Sequence, residues 1–415
     1  MLGVIGMNYV GYKNISIKLR INSLLIALFF CANIMTTMLP KTENIIVKIM
    51  AVLIIIYIIN NKTVRIISIS KVLIISLILF YFGISYWLIC RTYELYFYFL
   101  SFIFFGITGL IMSDKNKFSL VYVFKYLVVI SAVLSFKILN INFINLDYGQ
   151  WMGFSYNMLA GISASIICLT SIKIEKVYKL ISFWVLISYG YIYFNYASRG
   201  VILALLIQIT GMIYLKIEKN IKYRKIIFFI GLLMLVFIYL NMEQILMNLN
   251  NFLSTNNIKF YAIDKAVMYL NQNDISNGRM YLWNEAIRAI LQAPITGNGI
   301  AYFESVYGTY VHNLFIQLLY EGGVVFFTIF SLLIFYPIKI LLFDNEVEYL
   351  EKIFFIFLIT NSIVQLFFSN TLWRVQQFWF YIGYTISFFI IKHRDENKLS
   401  TTFQKSFEKI IESKE

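Results

Sequence analysis

The chain has 415 residues, of which 60% are hydrophobic, 18% aromatic and only 13% charged, and its mean hydropathy is +0.75. Water-soluble domains need roughly a quarter charged residues to wet their surface, so a soluble globular fold and a disordered chain are both excluded, leaving an all-α polytopic integral membrane protein. The net charge of +14 fits nucleic acid, anionic lipid or cytoplasmic loops, and where the cations sit decides among them.

A helix needs around 20 apolar residues to cross about 30 Å of hydrocarbon. Twelve runs qualify in chain order: 19–39, 45–59, 72–89, 93–112, 118–139, 154–171, 177–197, 201–215, 226–241, 314–343, 353–369 and 375–391. No small-residue cleavage site follows Leu39, so the first run is expected to stay as a span. The organisation expected is nine spans in 1–241, a long extracytoplasmic loop over 242–311, three spans in 312–391 and a cytoplasmic tail over 392–415. Cys31, Cys90 and Cys168 each sit in an apolar run without metal-ligand spacing, so neither a disulfide framework nor a zinc site is expected.

With the N-terminus inside, 24 of the 35 Lys and Arg fall on the cytoplasmic side, 8 outside and 3 within spans. Topology thus absorbs most of the positive charge, and a nucleic-acid role has no footprint. The two sides also differ in kind: only 4 of the inner cations are Arg, against 5 of the outer ones, namely Arg91, Arg199, Arg279, Arg288 and Arg374. A guanidinium keeps its charge in any surroundings and offers a planar fork to phosphate oxygens, so the outer set points to an anionic ligand such as a diphosphate. The alternative for any one of them is an anchor at the outer headgroups. Arg199 is the sharpest case, because Ala197-Ser198-Arg199-Gly200 is the whole connection between two long spans.

The outer loop is far longer than the usual connection, and such loops carry function. From Gly278, apolar Met280, Trp283, Ile287 and Ile290 recur at helical spacing, with Asn284, Glu285, Arg288 and Gln292 on the other side. The pattern predicts an amphipathic helix, capped by Ser276 or Asn277, ended by Pro294, Gly297 and Gly299, and presenting Arg279, Glu285 and Arg288 on its polar face. A helix that only packs the loop down is the alternative. His312 is the sole outer histidine, the other, His393, being in the tail, and its ordinary pKa suits proton transfer, though a lone His is often structural. Asn313, Gln317 and Glu321 repeat every four residues beside it, which places Glu321 about 14 Å further along the helix. A carboxylate there marks an internal ion pair or a polar cavity. Gly322 and Gly323 would let helices approach closely.

These residues resemble the O-antigen polymerase (Wzy) and O-antigen ligase (WaaL) family of bacterial envelope enzymes. The resemblance is carried by 154–160 (FSYNMLA), Ser198-Arg199-Gly200, Gly278-Arg279 with Trp283, the 294–299 run (PITGNG), and His312-Asn313 followed by Glu321-Gly322-Gly323. It implies a GT-C-like bundle of about twelve helices in the bacterial cytoplasmic membrane, with its site on the extracytoplasmic face. The implied reaction is a metal-independent, inverting glycosyl transfer from an undecaprenyl-diphosphate-linked oligosaccharide, needing no cofactor. A chain-length regulator and a flippase are the protein partners it implies. Arg199 and Arg279 would neutralise the departing diphosphate, with Arg288, Arg91 and Arg374 assisting. His312 would take or orient the acceptor proton, with Asn313, Glu285, Glu304 and Glu321 as further substrate-binding candidates, Glu304 and Glu285 being lesser candidates for the base. Phe326 stands where the ligase branch carries a small or hydroxylated residue, which favours a polymerase of lipid-linked repeat units, for O-antigen or capsule, over a ligase. A flippase is the alternative of another class, and a scaffold would leave the Arg bias without a reason.

Overall fold

The computed structural model describes residues 16–37, 45–61, 68–89, 91–139, 148–196, 198–217, 242–256, 279–344 and 346–412, with isolated positions at 233, 263 and 267. All regular structure among them is helical. In chain order the helices are α1 (Ile17–Thr37), α2 (Ile45–Asn61), α3 (Ile69–Ile84), α4 (Tyr93–Ser101), α5 (Thr108–Met112), α6 (Leu120–Ile138), α7 (Tyr148–Thr170), α8 (Lys176–Tyr196) and α9 (Arg199–Lys216). They continue with α10 (Met242–Thr255), α11 (Arg279–Gln292), α12 (Tyr302–Tyr307), α13 (Leu314–Phe343), α14 (Tyr349–Leu366) and α15 (Gln376–Glu412). A π-helical turn, Phe102–Ile107, joins α4 to α5 into one rod, Tyr93–Met112.

Seven described helices are long and apolar enough to cross a membrane, and Ile45–Asn61 and Gly200–Lys216 are shorter apolar ones. The run over 226–241 lies outside the described residues, as do Ser276, Asn277 and Gly278. The other eleven apolar runs are all occupied by helix. Polar side chains fix where several begin. Thr92 caps α4 by accepting from the Leu95 N–H, and Asn313 caps α13 by accepting from Phe315 and Ile316 at 3.0 and 3.2 Å.

The core is aromatic and aliphatic, and small residues make its closest helix contacts. α7 packs against α1, α6 and α8. Its Gly161 lies where a Cβ would come within 2.2 Å of Ser131 Oγ on α6 and 2.9 Å of the Tyr189 ring on α8. Gly109 on α5 is equally close to the Phe380 backbone of α15.

Contacts sort into two ends, as strict alternation of the helices demands. At one end Lys71 and Lys117 pair with Asp114, Lys115 with Glu351 and Lys392 with Asp344. Asn22 there bonds Asn61 and the Lys117 carbonyl. Burial acts to raise the Asp114 pKa, but the two lysines outweigh it and hold the carboxyl below its ordinary value. The other end gathers the starts of α4, α9 and α13, the end of α3 and the α14–α15 turn, and there arginine replaces lysine.

α13 is not one straight rod. Gly323 has φ 60° and ψ −158°, a break that only glycine adopts without strain. The 294–299 segment fills the break. Asn298 N–H donates to the Tyr320 carbonyl at 2.6 Å, Gly299 N–H to Glu321 at 3.0 Å, and Val324 N–H to Pro294 at 2.9 Å. A Cβ on Gly297 or Gly323 would lie within 2.5 or 2.2 Å of a carbonyl on the other strand of this crossing. The Gly322-Gly323 pair was expected to admit a neighbouring helix; it admits a loop backbone instead. Broken helix groups inside an apolar bundle must find partners, and here the loop before α13 supplies them.

Candidate functional site

At the arginine end, one backbone carbonyl organises the centre. Phe368, just past α14, accepts from Arg279 Nη2 at 2.6 Å, and the His312 imidazole lies near the same carbonyl, which favours its protonated form. Arg279 reaches it from the first residue of α11, and Trp283 one turn later donates Nε1 to the Val311 carbonyl at 2.9 Å, binding that face of α11 to the segment before α13. His312 has φ 58°, a left-handed conformation that a non-glycine residue holds only under constraint from its surroundings. Its Nδ1 is buried with no hydrogen-bond partner. Burial, with help from the Arg279 charge, pushes the imidazole down to about 4 against the opposing effect of the Phe368 carbonyl, so the ring is neutral at neutral pH.

Tyr310 stacks on this centre, its ring centroid 4.0 Å from that of His312 and its hydroxyl donating to the Ser369 carbonyl at 2.6 Å. Burial pushes that phenol up to about 12. The α9 start approaches the same turn: a Cβ on Gly200 would lie 3.1 Å from Phe368 Cβ and 1.8 Å from the Tyr156 hydroxyl. Arg199 is therefore brought by its backbone to the edge of the Arg279–His312 centre, and Ser198 lies 3.4 Å from Ser155 of α7.

Two recesses flank Arg374. One, about 50 Å³, is edged by Tyr156, Asn157, Gln365, Asn370 and Gln377. The other, about 270 Å³, lies among Tyr93, Phe97, Tyr98, Glu304, Tyr310 and Arg374. The Arg374 guanidinium sits over the Phe97 and Tyr98 rings, 4.5 and 5.8 Å from their centroids. Glu304 accepts from the Tyr98 hydroxyl at 3.0 Å through Oε1, while Oε2 is buried without a partner. Burial drives this carboxyl up to about 7, with Arg374 and the Tyr98 bond opposing.

Other residues singled out from sequence lie elsewhere. Arg288 pairs with Glu285 at 2.9 Å, and Glu285 also accepts from Tyr307. Arg288 stands about 13 Å along α11 from Arg279 and half a turn round, so the expected shared polar face of Arg279, Glu285 and Arg288 does not form. Arg91 stacks on its neighbours Tyr86 and Trp87. The Asn313 side-chain oxygen is taken up by its cap. Glu321 is buried and accepts from Gln317 and Trp373, each at 2.9 Å, while its own carbonyl accepts from Tyr81. Among the described residues no cation pairs with it, so the polar seam is a hydrogen-bond cluster rather than an ion pair.

Sequence reasoning missed Tyr310, Tyr98, Tyr156, Trp373 and the Phe368 carbonyl. A carbonyl carries no side-chain signal, and the tyrosines are lost among 31 in the chain.

The comparison with known families falls on this centre. Residues 181–331 match the model of a family described as O-antigen ligase. The match covers about a third of the chain and contains Arg199, Arg279, Arg288, His312 and Glu321. No curated protein and no solved structure matches the chain. The O-antigen ligase match is consistent with the resemblance to the polymerase and ligase family and supports a multi-pass membrane enzyme of that kind, without separating polymerase from ligase. Phe368, Arg374, Tyr98 and Asn157 lie outside the matched O-antigen ligase segment, yet pack on its centre.

Proposed function

We propose that the chain is a polymerase of lipid-linked oligosaccharide repeat units, moving a growing glycan from undecaprenyl diphosphate to the sugar of an incoming repeat. The observation that carries this is the Arg279–Phe368 bond, which fixes a permanent cation beside a neutral imidazole whose buried Nδ1 has no partner. In the reaction an acceptor hydroxyl attacks the anomeric carbon from the side opposite the diphosphate. The carbon–oxygen bond to diphosphate breaks, its electron pair leaves with the diphosphate, and the configuration inverts. Arg279 and Arg199 stabilise the charge that builds on the leaving group, the part a metal plays elsewhere. His312 Nδ1 takes the hydroxyl proton. A bound diphosphate cancels the Arg279 charge that helps depress the imidazole, so the base strengthens once the donor is in place.

The twelve-span, GT-C-like arrangement with both ends inside belongs to the same proposal, and the Lys-rich and Arg-rich ends of the bundle support it. Purified protein should lengthen a synthetic lipid-linked repeat in EDTA; a requirement for added metal would sink the metal-independent mechanism. The ligase reading has one observation of its own, the name of the family that residues 181–331 match. Deleting the gene separates the two. Loss of a polymerase leaves single repeats on the final acceptor, whereas loss of a ligase leaves polymer on the carrier lipid.

A further inference from the structure

We propose that the cleft walled by Tyr93, Phe97, Tyr98 and Tyr310 is a binding subsite for a neutral sugar ring of the acceptor, with Glu304 receiving one of its hydroxyls. The assignment depends on the polymerase or ligase reading above and adds to it where the second substrate sits.

Its chemistry narrows the occupant. The cleft holds two carboxyl groups, Glu94 and Glu304, against one guanidinium, Arg374. A diphosphate would find a single guanidinium there against two acidic side chains, a poor match for its charge. A cationic ligand would have to displace Arg374, which already covers the Phe97 and Tyr98 faces. An apolar chain would strand the second Glu304 oxygen without a partner, a cost of about 1–3 kcal/mol for a buried polar group. A neutral polyol meets all three demands: its C–H face lies on the ring faces that Arg374 leaves uncovered, its edge bonds the Glu304 carboxyl, and its oxygens accept from Arg374.

Size and position agree. The cleft volume of about 270 Å³ equals that of some nine liquid waters at about 30 Å³ each, room for one sugar ring. Glu304 is 7% exposed, and its Oε2 is the one oxygen of that carboxyl left without a bond. The strained start of α12, where Ala301 has φ 62°, holds it there. Tyr310 is the common wall, its ring lining the cleft and lying tilted against His312. An acceptor ring in the cleft therefore lies next to the base and the diphosphate site.

The test uses full-length protein in detergent and, as probe, the surface polysaccharide of the producing strain hydrolysed to single repeat units. Saturation-transfer NMR should show the repeat unit binding wild type. Thr309→Trp, which fills the cleft from its rim, should abolish the transfer, and Glu304→Gln, which keeps the acceptor for Tyr98, should weaken it about tenfold. A retained cooperative unfolding transition in each variant shows that the loss is local. Equal binding by wild type and both variants, or no binding by wild type, overturns the subsite. Chain growth in cells distinguishes the two levels. If Arg279→Ala stops growth while Thr309→Trp does not, the enzyme reading stands and the subsite falls; if Arg279→Ala grows normal chains, the enzyme reading itself fails.

Discussion

His312 and Glu304 carry pKa displacements of opposite sense, and each leaves a signature in stability. Glu304 stands at about 7 when folded against 4.5 ordinarily. Between those values the folded state holds the extra proton, so its contribution to stability is lost as pH rises. His312 stands at about 4 against 6.5. There the unfolded state holds the extra proton, so stability is lost as pH falls. In wild type the two slopes oppose each other. Relative to wild type, Glu304→Gln should gain thermal stability as pH rises from about 4.5 to 7, and His312→Asn should gain it as pH falls from about 6.5 to 4. Unfolding midpoints of the purified proteins across that range check both signs; parallel curves for all three proteins would contradict the burial of these groups. A second expectation concerns charge geometry: Arg279→Lys should recover only part of the activity lost in Arg279→Ala, because a point charge cannot hold Phe368 and diphosphate together as a fork does. Chain transfer by purified protein measures it, and full rescue by Lys would deny the fork any role.

Among the elements, the crossing of the 294–299 segment through the break in α13 is the most demanding construction. Gly323→Ala would force a side chain into φ 60° with its Cβ 2.2 Å from the Ile295 carbonyl, costing about 2 kcal/mol or more. Gly190→Ala in α8, where a Cβ meets nothing within 4 Å, should be neutral or slightly stabilising. A thermal-shift comparison should show a lower midpoint for the first and none for the second; equal midpoints would mean the break is not load-carrying. Here the sequence was informative only in pieces. Apolar run length located eleven helices, because hydrocarbon thickness imposes it locally. It could not show that the 294–299 glycines and Gly322-Gly323 form one unit, since that meeting is made by backbone hydrogen bonds between distant segments. The Tyr98–Glu304 bond, 206 residues apart in sequence, is hidden for the same reason. The arginines assigned to the outer side were legible as a class from their contrast with lysine. Their division into Arg279 at the centre, Arg374 between two recesses, and Arg91 and Arg288 on local partners depends on packing.

At the scale of the whole molecule, the charge of +14 separates into a lysine-rich end tied by ion pairs and an arginine end that holds the site. The alternation of helices predicts sidedness. Val306→Cys, exposed beside the cleft, should react with a membrane-impermeant maleimide in intact cells, and Glu346→Cys, exposed at the other end, only after permeabilisation. The reverse pattern would invert the proposed topology and move the site to the wrong compartment for a lipid-linked glycan. The central claim is that Arg199, Arg279 and His312 form one transfer centre. It is tested most directly by replacing each with Ala and reading surface polysaccharide length by gel at matched protein levels. The account predicts single repeats or very short chains from each variant, with transfer reduced about a hundredfold or more. Wild-type chain lengths from all three would contradict it.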